Sequence, residues 1–251
     1  MQNELVIKLA SLAGQIMLEA GGETYRVEDT INRILTSYGI TNAQSFVMPT
    51  GLVISGEHLD GTTVSLVRRV NAINVDLEKI SMINDLSRRI TQDKITPDEF
   101  EEGLKEISLS PYYPLWLTLM MTGFAALCFT MIFRGTIREA ICAFFAGITV
   151  YIFKRIAKGF RLNFFLQNAV GGITAVLIGS LFKQMNIIPT ISIMVIGTIM
   201  LLVPGITITN AIRDTFQGDY ISGVTRGVEA FVTASGIAFG TAIGFVLTGV
   251  M

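Results

Sequence analysis

The sequence predicts an α-helical integral membrane protein, with five transmembrane helices preceded by a small cytoplasmic α/β domain. Three observations carry that prediction. Of 251 residues, 51% are apolar and only 16% charged, and the mean hydropathy of +0.56 exceeds what a soluble domain of this length usually shows. Charge is unevenly divided: residues 1–110 hold ten Lys/Arg and sixteen Asp/Glu, residues 111–251 nine and four. Finally, apolar runs close to the roughly 20 residues that cross hydrocarbon crowd into the second part.

In the first part, residues 1–108, Leu5, Leu9, Leu12, Ile16 and Ala20 mark one apolar helix face that breaks at Gly21-Gly22. A second helix is expected from about Arg26 to Tyr38, with Val27, Ile31, Ile34, Leu35 and Tyr38 inward. Between Gln44 and Val70 the period changes to short β-type runs punctuated by Pro49, Gly51, Gly56, Asp60 and Gly61, which predicts a small β-meander. Helices return at 76–92 and, behind the cap-like Thr96-Pro97-Asp98-Glu99, at 97–107. A segment of this length can bury its own core. The first residues carry Glu4 and no basic cluster, unlike a cleaved signal peptide, so this domain is expected to stay in the cytoplasm.

The stretch Gly21-Gly22-Glu23-Thr24-Tyr25-Arg26-Val27-Glu28-Asp29-Thr30 has two readings. If Thr24 caps the second helix, Glu28 and Asp29 lie in its first turn, where the helix dipole favours carboxylates. Alternatively Glu23, Arg26 and Glu28 or Asp29 form a ligand-sensing or gating cluster. His58 is the only histidine, which argues against a His-based metal site or a catalytic triad. No enzyme activity, cofactor, metal or nucleic-acid partner is expected.

The membrane domain, 109–251, holds apolar segments at about 112–133, 137–153, 162–182, 187–209 and 228–251, joined by short connections. Cys128 and Cys142 fall inside them and read as small core residues. Lys154, Arg155, Lys158 and Arg161 follow the second span, and Arg213 and Arg226 follow the fourth. The other side carries only Arg134, Arg138 and Lys183. This bias places the N-domain inside and the C-terminus outside a cell (inner) membrane. Trp116, Tyr112 and Tyr113 suit an interfacial anchor. Gly236, Gly240 and Gly244, and likewise Gly171, Ala175 and Gly179, recur every four residues as helix-contact stripes, within the chain or with another subunit.

The fourth span ends in the most unusual sequence, Leu201-Leu202-Val203-Pro204-Gly205-Ile206-Thr207-Ile208-Thr209-Asn210-Ala211-Ile212-Arg213-Asp214. Pro204 removes a donor and Gly205 loosens the backbone, so the helix should kink or break there, freeing carbonyls. Broken helices of this kind mark binding sites in transporters. Beyond the break Thr207, Asn210, Asp214 and Gln217 share a helix face with Arg213 beside them. Arg226 and Glu229 from the fifth helix, and Asn163, Gln167 and Asn168 from the third, could face this stripe. The competing reading is a solvated loop whose charges only set topology.

Taken together, Gly-Gly-Glu-Thr-Tyr-Arg-Val-Glu-Asp-Thr, then Leu-Leu-Val-Pro-Gly followed by Asn210, Asp214, Gly218 and Gly223, resembles the threonine/serine exporter family. The resemblance is strongest to the larger subunit of its split form, which includes the bacterial succinate exporter. It implies a cytoplasmic N-domain, a five-span unit, and a smaller five-span partner subunit. It also implies export of threonine and serine or of C4 dicarboxylates, driven by an ion gradient. An odd span count cannot close an inverted repeat alone, so a partner or homo-oligomer is expected on physical grounds too. On this reading Asn210 and carbonyls freed near Pro204 and Gly205 contact substrate, Arg213 attracts its carboxylate, and Asp214 answers an ammonium group or exchanges a proton. Having both signs favours a small amino acid over a dicarboxylate. A membrane-anchored enzyme or a scaffold protein is the alternative class.

Overall fold

Two compact units emerge from the chain, and they divide it differently from a simple N-domain and membrane domain. The first comprises Met1–Pro111 together with Ile206–Gly227; the second comprises Tyr112–Gly205 and Val228–Met251. The computed structural model describes residues 2–57, 63–93, 95–111 and 113–249, which leaves His58 and Tyr112 outside the described residues.

In the first unit, α1 (Gln2–Glu19) and α2 (Thr24–Ser37) precede β1 (Thr41–Met48), β2 (Gly51–Glu57) and β3 (Thr63–Arg69). The expected meander is present: the strands pair antiparallel in the order β1-β2-β3. Alternation sets its faces, with Leu52 and Ile54 buried and Val53 exposed between them. On the buried side Val6, Ile7, Ala10 and Met17 of α1 and Val27, Ile31 and Ile34 of α2 complete a core shared with α3 (Leu77–Asp93) and α4 (Pro97–Leu109). The start of α4 is a full capping box: Thr96 accepts from the Glu99 N–H at 3.3 Å, and the Glu99 carboxylate accepts from the Thr96 N–H at 2.7 Å.

α1 ends as Gly21-Gly22 requires. Gly21, at φ +86°, and Gly22 turn back so that the Gly21 N–H donates to the Leu18 carbonyl at 3.0 Å and the Gly22 N–H to the Met17 carbonyl at 2.9 Å. Thr24, however, is not the cap of α2. Glu23 holds that position and makes no side-chain cap bond, while Thr24 is the first helical residue and directs its hydroxyl elsewhere.

The second unit contains α5 (Leu115–Ile132), α6 (Ile137–Gly159), α7 (Phe164–Gln184), α8 (Ser192–Ile199) and the later turns of α10 (Tyr220–Thr248). Among the described residues four helices, α5, α6, α7 and α10, are long and apolar enough to cross a membrane. The expected fourth span, 187–209, is not one helix, and its interruption falls near Pro204 and Gly205, where a kink or break was expected. Instead α8 stops at Ile199, turns cover 200–203, and after Pro204 the separate helix α9 (Gly205–Phe216) begins. The missing Pro204 N–H and the flexible Gly205 explain the break. Boundaries shift elsewhere as well: α6 continues past residue 153 to Gly159, because Lys and Arg are good helix formers whose stems follow an apolar surface. α10 starts at Tyr220 and not at 228.

The small-residue stripes are contacts within this chain. A Cβ on Gly236 would stand 2.7 Å from the Phe165 carbonyl oxygen, one on Gly240 would overlap the Ala169 carbonyl, and one on Gly244 would meet Val176 Cβ at 2.7 Å. α10 thus lies backbone to backbone on α7. Gly171 and Gly179 of α7 face a different neighbour, Leu202 in the first case and Ile191, Met194 and Val195 in the second.

Candidate functional site

The turn between α9 and α10 is tight. Gly218, at φ +92°, allows the Asp219 N–H to reach the Asp214 carbonyl at 2.9 Å, and Gly223 has no room for a Cβ against Thr215. This hairpin carries its polar stripe onto the loop between α1 and α2, within the first unit. There the two unusual segments of the sequence meet.

Asp214 is the centre. Its carboxylate accepts from the Thr24 N–H at 3.4 Å and from the Thr24 hydroxyl at 3.1 Å, and the Arg226 Nε lies 3.0 Å from its Oδ2. The guanidinium of Arg226 also donates to the Gly22 carbonyl at 2.7 Å, and the Asn210 amide donates to the Gly21 carbonyl at 3.0 Å. Asp214 and Thr24 are fully enclosed, and Arg226 is 2% and Asn210 5% exposed. Asp214 therefore sits at the N-terminus of α2, where unpaired N–H groups and the helix dipole favour a carboxylate. A residue 190 positions away does what Thr24 was expected to do. The carbonyls left by the turn at Gly21-Gly22 bind the two side chains flanking Asp214 on the hairpin.

Glu23 forms the outer rim. It pairs with Arg213 and, at 3.0 Å, with Arg26. Glu28 instead accepts from the Val47 N–H at 2.9 Å, and Asp29 makes an exposed i,i+4 pair with Arg33 at 2.8 Å. The expected cluster of Glu23, Arg26, Glu28 and Asp29 is therefore three separate arrangements. Burial raises the Asp219 carboxyl above the ordinary Asp range, and the charge of Asp214 raises it further. Glu28 is raised by burial, a shift opposed by its Val47 hydrogen bond and reinforced by Asp219.

The remaining candidates find partners elsewhere. Thr207 and Gly205 begin α9, and Gly205 borders open space. Asn163 caps α7 by accepting from the Leu166 N–H at 2.9 Å. Glu229 lies on α10 beyond the first unit, where its backbone carbonyl accepts from Thr233 at 2.8 Å. Asn168 is fully buried in the second unit: its amide donates to the Phe164 carbonyl at 2.9 Å, and its oxygen accepts from the Lys154 ammonium at 2.9 Å. This pair was not anticipated, since Lys154 reads in sequence as a loop cation. The signal available was its position, on the helical repeat that continues from the apolar span. Among the described residues, no group of three or more His, Cys, Asp or Glu could hold a metal ion.

Long apolar helices, a helix interrupted at Pro204 and, further along the chain, a desolvated charge cluster are features of a multi-pass membrane protein of the transporter class. The chain matches the family described as "Putative threonine/serine exporter" over residues 8–248, and it belongs to that family, one of transporters and not of enzymes. It is 23% identical to the "Probable succinate transporter subunit YjjP" of Escherichia coli (strain K12), with 98% of this chain aligned to 94% of that one. It is 24% identical to the "Probable threonine/serine exporter" of Mycobacterium tuberculosis, across 96% of this chain and 45% of that protein. The "Threonine/serine exporter" of Corynebacterium glutamicum is 23% identical, across 98% of this chain and 52% of its own length. The chain thus spans nearly all of the first relative and about half of the other two. No solved structure matches it.

Proposed function

We propose that this chain is one subunit of a secondary exporter of small polar metabolites, with threonine and serine as its substrates, and that the Asp214 cluster gates it. The observation that carries the gating role is the enclosed set Asp214, Arg226 and Thr24, with Asp214 on the helix that follows Pro204 in the chain. Charges this desolvated stay in place only while all their partners do, so the arrangement has two well-separated states, closed or hydrated. Asp214 is fully engaged in the closed state, which makes it a gate residue and not a resting ligand for substrate ammonium. Arg213, half exposed on the rim and paired there with Glu23, attracts the substrate carboxylate by exchanging that partner.

The subunit reading draws on length: this chain matches a protein called a transporter subunit nearly end to end, and only half of the longer exporters. A smaller five-span membrane protein is the proposed partner. The basic residues Lys154, Arg155, Lys158 and Arg161 favour a cytoplasmic N-domain and an external C-terminus in the cell membrane. The segment around α8 would then be a short, broken fifth crossing. The same end-to-end likeness to a succinate transporter subunit supports a second reading, in which the substrate is a dicarboxylate.

The test is efflux from cells expressing the chain with its companion subunit, preloaded with labelled threonine, serine or succinate. Arg213→Gln and Asp214→Asn should each lower efflux of the true substrate at least several-fold at equal membrane abundance. Wild-type efflux from both variants removes the cluster from gating. Efflux of succinate alone selects the second reading.

A further inference from the structure

In the second unit a cavity of about 830 Å³ opens between α5 and α6, within the size range of about 300–1,000 Å³ usual for ligand sites. Its walls are largely apolar and include Leu117, Met121, Ala125, Val150 and Leu202. Thr118 and Thr122 also line it, but their hydroxyls donate to the carbonyls of Pro114 and Thr118 on their own helix. Among the described residues of the lining the one formal charge is the Lys154 ammonium, and Tyr113 and Tyr151 also contribute to the wall.

Lys154 is held in place. Asn168 commits its amide donor to the Phe164 carbonyl, so its oxygen must face the ammonium, and the Phe164 ring centroid lies 5.8 Å from Nζ. A neutral amide and a ring face do not neutralise a cation. Among the described residues no carboxylate forms an ion pair with Lys154, and none lines the cavity. An ammonium has three donors, and Asn168 accepts from one. The polar end of the cavity is also an interfacial one. Arg155, Lys158 and Arg161 follow Lys154, and Tyr113 and Trp116, both about two-thirds exposed, mark the start of α5.

We propose that this cavity is a binding site for an anionic phospholipid, whose phosphate pairs with Lys154 while an acyl chain lies along Leu117, Met121 and Leu202. The chemistry separates this ligand from the transported metabolite. A zwitterionic amino acid would leave its ammonium without a counter-charge here, and a dicarboxylate would leave one of its two carboxylates against apolar walls. An amphiphile with one anionic head and a long apolar tail satisfies both ends. Basic pockets between membrane helices at the headgroup level bind anionic lipids for this reason. The site depends only on residence in a membrane, not on the exporter reading or its gate.

The experiment is native mass spectrometry of the full chain, released from detergent with phosphatidylglycerol or phosphatidylcholine of identical acyl chains. The wild type should retain phosphatidylglycerol at least several-fold better. Lys154→Gln should abolish that preference, and Lys154→Arg, which keeps the charge, should preserve it. Equal retention of the two lipids by the wild type overturns the proposal, as does a preference surviving in Lys154→Gln. Displacement of phosphatidylglycerol by glycerol phosphate, threonine or succinate also overturns it, because the cavity would then be a site for soluble anions.

Discussion

One helix, α10, is held in two unlike ways along its length. Near its start Arg226 reaches Asp214 and the Gly22 carbonyl, so the contact is made by charge and hydrogen bonds with every group enclosed. Further on Gly236, Gly240 and Gly244 let α10 lie against the backbone of α7 with no side chain between them. Each solution suits its surroundings. In lipid there is no hydrophobic gain from pairing apolar helices, so close backbone approach and dispersion must supply the association. At the α1–α2 loop the partner surface is a helix N-terminus and two turn carbonyls, which only charged and amide side chains can satisfy. The glycine contact tolerates no added atom, whereas the charged contact tolerates no missing one.

Removing one charge should produce the largest effect. Asp214→Ala leaves Arg226 enclosed without its carboxylate, and a cost of about 3–5 kcal/mol is expected for breaking such a pair from one side. Thermal unfolding of the purified protein measures it, and Asp214→Leu with Arg226→Met should recover much of the loss. A single variant within about 0.5 kcal/mol of wild type would mean that the cluster is hydrated and the contrast with the glycine contact mistaken. Adding bulk to the other contact comes next. Gly240→Leu should cost about 1–3 kcal/mol through overpacking on Ala169. Gly227→Ala, earlier on the same helix and facing open space, should leave the melting temperature unchanged or slightly raised.

The smallest effect is a pH dependence confined to the charged end. Because the Asp219 carboxyl is raised in the folded state, folding favours its protonated form; the benefit is complete below the ordinary Asp value of about 3.9 and disappears as pH rises through the raised value. Asp219→Asn should therefore raise the melting temperature near neutral pH, and the gain should vanish as pH falls toward about 4. An equal gain at both pH values would show that burial and the Asp214 charge are not what penalise this carboxylate.

Much of this architecture was legible because it follows from local rules. The break at Gly21-Gly22, the meander between residues 41 and 69, the capping box at Thr96 and the interruption at Pro204 each depend on a few adjacent residues. The reversals after α5, α6 and α7 were less so, since Arg134, Arg161 and Asn186 adopt positive φ where glycine is the usual signal. Of the candidate site, Asn210, Arg213, Asp214 and Arg226 were visible as a polar stripe, and Glu23 and Arg26 as a separate cluster. Their union was not, and neither was the pairing of Lys154 with Asn168.

Sequence alone determined the membrane class, the family, the positions of most helices and the residues too costly to bury without purpose. Periodicity, composition and turn chemistry act over a few residues and leave their mark in order along the chain. Tertiary structure alone decided that Ile206–Gly227 folds with the first unit, that Asp214 serves as the missing cap of α2, and that the glycines of α10 meet α7. Those choices depend on which unsatisfied donors, carbonyls and open backbones lie opposite one another in space, and residues 190 positions apart carry no local record of that meeting.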